Sequence, residues 1–218
     1  MTPLILGPED IPALLTLQDR IISLHGEDRI WVHDVEGLEQ LFGLGPDFLA
    51  LGVREGAELV AASLSRRMGR SEVIPLVPGL PWSGEPAHIG LNTLSLPGRG
   101  LGGQMVRLLR SRRAHLRGRG VEHLFGGVAP DHTVSLGCAF RAGAVGVGHL
   151  EVPGATELLL WHGPGVRFPG SGRTRRVPAA DLKRQALLMR AGFVITGLDP
   201  DDRSLLRLSP FCSGGVDA

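Results

Sequence analysis

Four glycines lie within six residues, at Gly98, Gly100, Gly102 and Gly103, between a predicted strand and a predicted helix. Without Cβ atoms the backbone can curve around a ligand and point several N–H groups into one concavity. The helix that follows brings its unsatisfied first-turn N–H groups and its partial positive charge to the same place. The spacing therefore predicts a binding site for a phosphate or pyrophosphate.

Two phosphate-binding patterns compete for this turn. Gly98-x-Gly100-x-x-Gly103 satisfies the dinucleotide fingerprint, and Glu122 follows at about the distance expected of a ribose contact. Glu122 would begin the next strand rather than end it, and a hairpin is predicted after it instead of further strand–helix units. A nucleotide-dependent oxidoreductase stays open as one alternative.

The segment Pro97-Gly-Arg-Gly-Leu-Gly102 resembles the acyl-CoA loop of the GNAT superfamily of N-acetyltransferases, whose pattern is R/Q-x-x-G-x-G/A. Pro97 replaces the usual Arg or Gln in a loop that binds mainly through main-chain N–H groups. The resemblance implies a mixed α/β fold, a central sheet flanked by helices, with acetyl-CoA as acyl donor. The loop residues that it assigns to this cosubstrate are Gly98, Arg99, Gly100, Leu101, Gly102 and Gly103.

A second region resembles the family's P-x-N-x-x-S/A pattern, which precedes a helix. In Pro130-Asp-His-Thr-Val-Ser135, His132 takes the Asn position and is expected to contact the cosubstrate, while Ser135 takes the small-residue position. Gly143-Ala144 stands where the family has G-F.

The resemblance implies direct attack of a primary amine, of a small molecule or peptide, on the thioester. A main-chain N–H near Asn92, Thr93 and Leu94 would polarise the thioester oxygen. Candidate bases lie at the loop, on the preceding strand or at the carboxyl end of the adjacent one: Glu85, His88, Asp131 and His132. His88 and Asp131 are the predicted catalytic residues among them. His88, Gly90 and Asn92 are expected to share one strand face.

The family often protonates the departing thiolate with a tyrosine, and this chain contains none. Ser135 is the expected substitute, and Cys138 on the same helix is an alternative. Without efficient proton donation, the site would bind acyl-CoA without turnover. A non-catalytic acyl-CoA sensor or structural subunit is therefore the second functional hypothesis.

Composition limits the remaining classes of function. The chain has 218 residues, a formal net charge of +1 and 43% hydrophobic residues, so charge and hydropathy favour neither a nucleic-acid nor a membrane partner. With no targeting segment apparent, a cytoplasmic location is expected. The only cysteines, Cys138 and Cys212, have neither a disulfide-scaffold nor a metal-ligand pattern.

The expected element order resembles the GNAT core over residues 1–163. A strand–helix–helix–strand–strand opening precedes a proline-rich loop at 70–85, a strand, the glycine turn and an amphipathic helix. Arginines are expected to form the solvated face of that helix, Arg112 among them. A strand, a helix over 133–141 and a hairpin complete the core.

Beyond residue 163, a linker is expected over 164–179 and a helix–hairpin appendage over 180–218. Met189-Arg-Ala-Gly-Phe-Val-Ile-Thr-Gly197 echoes Phe140-Arg-Ala-Gly-Ala-Val-Gly-Val-Gly148, which indicates either a partial duplication or the common appearance of helix–Gly–strand junctions. The appendage would extend the sheet or pack against a second subunit in a homodimer.

Overall fold

The computed structural model describes residues 2–26, 30–76, 80, 82–97, 101–152, 154–164, 166–167 and 174–213. In chain order its strands and helices are β1 (Leu4–Ile5), α1 (Ile11–His25), α2 (Val35–Gly43), β2 (Phe48–Glu55), β3 (Glu58–Arg67), α3 (Arg70–Val73), β4 (Ala87–Ser95), α4 (Leu101–Gly118), β5 (His123–Val128), α5 (Thr133–Arg141), β6 (Val145–Val152), β7 (Ala155–His162), β8 (Val166–Arg167), β9 (Arg175–Pro178), α6 (Leu182–Arg190), β10 (Phe193–Leu198), β11 (Leu205–Pro210) and β12 (Cys212–Ser213). They form two compact units, Met1–Met68 with His88–Gly120, and Gly69–Ala87 with Val121–Ala218.

The first unit contains strands in the order β1-β2-β3-β4, and each neighbouring pair is antiparallel. Gly56, with φ of +60°, makes the tight turn between β2 and β3. The apolar stripe of α1, which includes Leu14, Leu17 and Ile21, is buried. The carboxylate of Asp34 accepts the N–H of Gly37 and caps the start of α2.

The second unit contains strands in the order β5-β7-β6-β10-β11-β9, all antiparallel to their neighbours, and β8 pairs separately with β12. Leu136 of α5, Leu158 of β7 and Leu206 of β11 are fully buried in one hydrophobic cluster of this unit. Alternating apolar side chains on the strands therefore give the helices one face to cover.

The mixed α/β fold class is confirmed, with mostly antiparallel strands flanked by helices. Two local expectations differ from the structure. The one-turn helix α3 forms inside the predicted loop 70–85, where Glu72 accepts the N–H of Gly69. Strand β9 forms inside the predicted linker 164–179, because β11 supplies its hydrogen-bonding partner. Among the described residues, no helix is long and apolar enough to cross a membrane.

Candidate functional site

The predicted strand–turn–helix junction is present in the first unit, where β4 ends at Ser95 and α4 begins at Leu101. Gly98, Arg99 and Gly100 lie outside the described residues, as do the side-chain surroundings of Leu101 and Gly102. At Gly103, in the first turn of α4, an added Cβ would meet no heavy atom within 4 Å. Gly103 therefore lies on an open surface, and the binding roles of the loop residues stay predictions.

A bulge in β4 changes which residues share a face. Ser65 pairs with Gly90 and Leu64 pairs with Asn92, so Leu91 is the extra residue. Asn92 therefore lies on the face opposite Gly90, and the expectation that His88, Gly90 and Asn92 share a face is wrong. The glycine inside this strand was the sequence signal for a bulge.

The Asn92 side chain holds the segment between α1 and α2. Its Nδ2 donates to the carbonyl of Trp31 at 2.5 Å, and its Oδ1 accepts the N–H of Trp31 at 3.3 Å. The neighbouring Thr93 hydroxyl lies 3.2 Å from the hydroxyl of Ser63, and Leu94 is buried. These side chains contact protein, so any role of Asn92–Leu94 toward the cosubstrate rests on their main-chain N–H groups.

Arg112 of α4 is buried against the bulge, and the expected solvated position for it is wrong. Its Nη1 donates to Ser63 Oγ at 2.9 Å and approaches the carbonyl of Leu64 at 3.4 Å. A Cβ on Gly90 would lie 2.8 Å from the same Nη1, so glycine makes room for the guanidinium. Burial lowers the pKa of Arg112 to about 10, which leaves it charged at neutral pH.

His88 lies on the same face as Gly90 and is 2% exposed. Burial lowers its pKa to about 4; Asp47 opposes this, and Arg119, Arg67 and Arg112 add to it. The imidazole is therefore neutral at pH 7 and a weak base, and its Nδ1 has no hydrogen-bond partner among the described residues. A catalytic role for His88 stays a prediction.

The other predicted catalytic residues lie together in the second unit, where β5 leads into α5. Asp131 is exposed in the connecting turn, His132 is the N-cap residue, and Ser135 is half-buried in the first turn. The His132 side chain makes no capping hydrogen bond to the helix. Cys138 is 1% exposed inside the core, which favours a packing role for it.

Glu157 is a candidate catalytic base that the sequence alone did not indicate. It lies on β7, where successive side chains alternate between the two faces of the sheet. Leu158 and Leu160 pack in the core with α5, whereas the Glu157 side chain lies on the opposite face. An added Cβ on Gly127 of β5 would collide with the Glu157 carboxylate, so the carboxylate lies over the end of β5. Burial raises its pKa. The paired glycines Gly126 and Gly127 were the available signal.

A second polar cluster lies on the same face of β5. Trp161 Nε1 donates to His123 Nδ1 at 3.1 Å, and His123 Nε2 lies 3.7 Å from Glu85 Oε2. The N–H and hydroxyl of Ser83 both donate to the Glu85 carboxylate, and these bonds lower its pKa to about 2. Glu85 is thus held as an anion and is a weak base at neutral pH.

No protein-family model and no curated protein matches the sequence. Ribosomal-protein-alanine N-acetyltransferase from Brucella melitensis superposes with a TM-score of 0.58 at 17% identity, over 75% of this chain and 99% of that one. Aminoglycoside 6'-acetyltransferase type Ii superposes with a TM-score of 0.55 at 15% identity, over 75% of this chain and 97% of that one. AAC(6')-Ib in complex with paromomycin and acetyl-CoA superposes with a TM-score of 0.53 at 12% identity, over 75% of this chain and 93% of that one. The chain has the GNAT acetyltransferase fold.

Within this GNAT fold, the predicted residues fall into two sets. The glycine turn, His88 and Asn92–Leu94 belong to the first unit, whereas Asp131, His132 and Ser135 belong to the second. Glu157 and the His123 cluster join the second set, on strands β5 and β7. The GNAT-fold chain thus combines a strand–glycine–helix junction with a half-buried carboxylate at the end of β5.

Proposed function

We propose that this chain transfers an acetyl group from acetyl-CoA to a primary amine of a small molecule or peptide. One observation carries the proposal: the glycine-rich sequence occupies the connection from β4 to α4 within a GNAT fold. Four of its structural neighbours are AAC(6')-Ib complexes with coenzyme A or acetyl-CoA. Loop N–H groups and the start of α4 would hold the diphosphate.

In the proposed reaction, the amine nitrogen attacks the thioester carbon, the C–N bond forms and the C–S bond breaks. The nitrogen gives its proton to a base, and the sulfur leaves as a thiolate that is then protonated. Main-chain N–H groups of Asn92–Leu94 would stabilise the oxyanion. A lysine-like amine of pKa about 10.4 costs roughly 4.6 kcal/mol to deprotonate at pH 7, whereas an α-amine near pKa 8 costs about 1.4 kcal/mol.

We assign the role of base to Glu157 rather than Glu85. A base must accept a proton near the working pH, and burial moves the Glu157 pKa upward toward that range. The Glu85 pKa of about 2 moves it away. Asp131 and His88 stay predicted bases; Asp131 is exposed, and His88 is buried with a pKa of about 4.

Proton donation to the sulfur falls to Ser135 and to the start of α5, because the chain has no tyrosine. The half-buried Ser135 hydroxyl lies in the first turn of α5, whose helix dipole stabilises negative charge. The missing tyrosine also favours a second candidate function, a non-catalytic acyl-CoA sensor. Such a protein would bind the cosubstrate equally well and release no thiol.

The binding step is tested by calorimetric titration of acetyl-CoA into the wild-type chain and Gly100→Val. A β-branched side chain would obstruct close approach of the loop backbone, so we expect the variant to bind at least tenfold more weakly. Gly43→Val is the control, because a Cβ there meets no protein atom within 4 Å. Equal affinity in the wild type and Gly100→Val would refute the loop assignment.

The catalytic step is tested by following thiol release from acetyl-CoA across a panel of amines. We expect amine-dependent release with at least one acceptor class. Saturable acetyl-CoA binding with no amine-dependent thiol would replace the enzyme by the sensor. A response to NADPH in place of acetyl-CoA would replace both by the oxidoreductase.

A further inference from the structure

The second unit contains the same supersecondary structure twice. The first repeat is β5-α5-β6-β7, over His123–His162, and the second is β9-α6-β10-β11, over Arg175–Pro210. Each runs strand, helix, then antiparallel hairpin, and in each the outer strand pairs with the second strand of the hairpin. The echo seen in the sequence therefore covers an additional strand, β9.

The correspondence holds residue by residue. Helices α5 and α6 both have nine residues. The first residue of α6 comes 49 positions after the first residue of α5 (133 to 182), and the last residues have the same separation (141 to 190). Gly143 and Gly192, each with positive φ after its helix, have the same separation. Strand β6 has a register shift between Gly146 and Gly148, and β10 has one between Ile195 and Gly197, again 49 positions on.

The two repeats meet at equivalent residues. Strand β6 pairs with β10 in antiparallel fashion, and the partner of Gly146 is Ile195, its own counterpart. The strand order β5-β7-β6-β10-β11-β9 reads as the first repeat followed by the second in reverse. A residue that pairs with its equivalent is the property of an isologous, twofold interface. A local pseudo-twofold axis therefore passes between Gly146 and Ile195.

The hydrophobic core is also shared across this axis. Leu158 and Leu160 of β7 correspond to Leu206 and Leu208 of β11, and all four are buried in one cluster. Gly146 fits the axis because Ile195 fills the space beside it: an added Cβ would lie 2.9 Å from Ile195 Cβ. One bulky and one absent side chain thus replace the two identical residues that a true dimer would have.

We propose that the second repeat is a built-in partner, which occupies on β6 the place that a second copy of the chain would take. The full chain then works as a monomer. The outer edge of the second repeat fits this assignment, because β9 has only four residues, among them two arginines and a proline. Short, charged and proline-containing edge strands resist further pairing. Arg176 of this edge pairs with the buried Asp199.

Pseudo-symmetry predicts that the protein tolerates an exchange of the two residue types beside the axis, with isoleucine at 146 and glycine at 195. We expect Gly146→Ile alone to lower the Tm by about 5 °C or more through overpacking, and Ile195→Gly alone to lower it by about 10 °C through a cavity. The double variant with both changes restores the packing and recovers at least half of the combined loss. Gly148→Ala is the control, since its Cβ would make ordinary contact with Leu159 at 3.7 Å.

Additive losses in the double variant would overturn the pseudo-twofold relation. If the single variants fail to fold, Gly146→Ala with Ile195→Val makes the same comparison with smaller changes. Sedimentation of the wild-type chain tests the partner role separately. The expected mass is that of one chain, 23.2 kDa. A stable dimer would contradict a built-in partner, and neither readout depends on acetyl transfer.

Discussion

The two repeats of the second unit have the same helix–hairpin geometry but begin their helices differently. In the first repeat, the N-cap residue of α5 is His132, whose side chain makes no capping bond. In the second, Asp181 takes this position, and its carboxylate accepts the N–H of Arg184 at 3.1 Å. The two helices therefore differ in whether the N-cap side chain accepts a first-turn N–H, as it does in the second repeat alone.

The strands show the same division. Glu157 precedes the buried Leu158 in the first repeat, and Leu205 precedes the buried Leu206 in the second. Ser135 of the first repeat corresponds to Arg184 of the second. Of the two repeats, only the first therefore contains residues proposed for chemistry. We infer that the second repeat serves as a structural partner of the first.

The largest expected effect is on turnover. Glu157→Gln removes the proposed base, so kcat should fall by about 100-fold or more while acetyl-CoA affinity stays unchanged. The acid limb of the wild-type pH–rate profile should lie above the ordinary glutamate range, because burial raises the Glu157 pKa, and it should vanish in the variant. Glu151→Gln is the control, since that carboxylate is exposed on β6. Wild-type rates in Glu157→Gln would move the base to His88, Asp131 or an ordered water.

An intermediate effect, on acetyl-CoA affinity, is expected when the N-cap residue of the first repeat is replaced by the aspartate that the second repeat has. His132→Asp places a carboxylate at the start of α5, which should weaken acetyl-CoA binding by about three- to tenfold through repulsion and competition for the N–H groups. Asp181→Asn at the equivalent position should leave the affinity unchanged. Calorimetry on both variants makes the comparison. Equal loss in the two would show that the repeats do not differ in ligand binding.

The smallest expected effect is on stability. A carboxyl whose folded-state pKa is raised contributes stability below its unfolded pKa, and this contribution is lost as pH rises through the folded value. Glu157→Leu, which copies Leu205, should therefore raise the Tm by about 2–4 °C at pH 7, and by less at pH 4. Thermal melts at the two pH values measure the difference. A gain that is the same at both would assign it to apolar packing alone.

Local signals predicted much of this molecule. The strand before the glycine turn, the helix after it, α5 and both hairpins follow from periodicity and glycine positions. The similarity between two segments 49 positions apart also indicated the repeat, because the glycines after both helices and at both bulges are visible in the sequence. Strand β9 escaped prediction because four residues in a basic, glycine-rich segment become a strand only when β11 pairs with them.

The site was harder to predict because long-range contacts decide it. The bulge at Leu91 reverses the face of Asn92, and strict alternation cannot show this. Arg112 looked like its exposed neighbours on α4, yet Gly90 and Ser63 make a buried place for it. Glu157 has no motif around it. The position of its carboxylate depends on Gly127, which is distant in sequence and lies on the paired strand β5.

The proposed function depends most directly on acetyl-CoA binding. Calorimetric titration of the full chain with acetyl-CoA measures both affinity and the number of sites. The account predicts saturable binding of one molecule per chain, weakened by Gly100→Val and by His132→Asp but not by Asp181→Asn. Absence of binding, or two equivalent sites per chain, would contradict it.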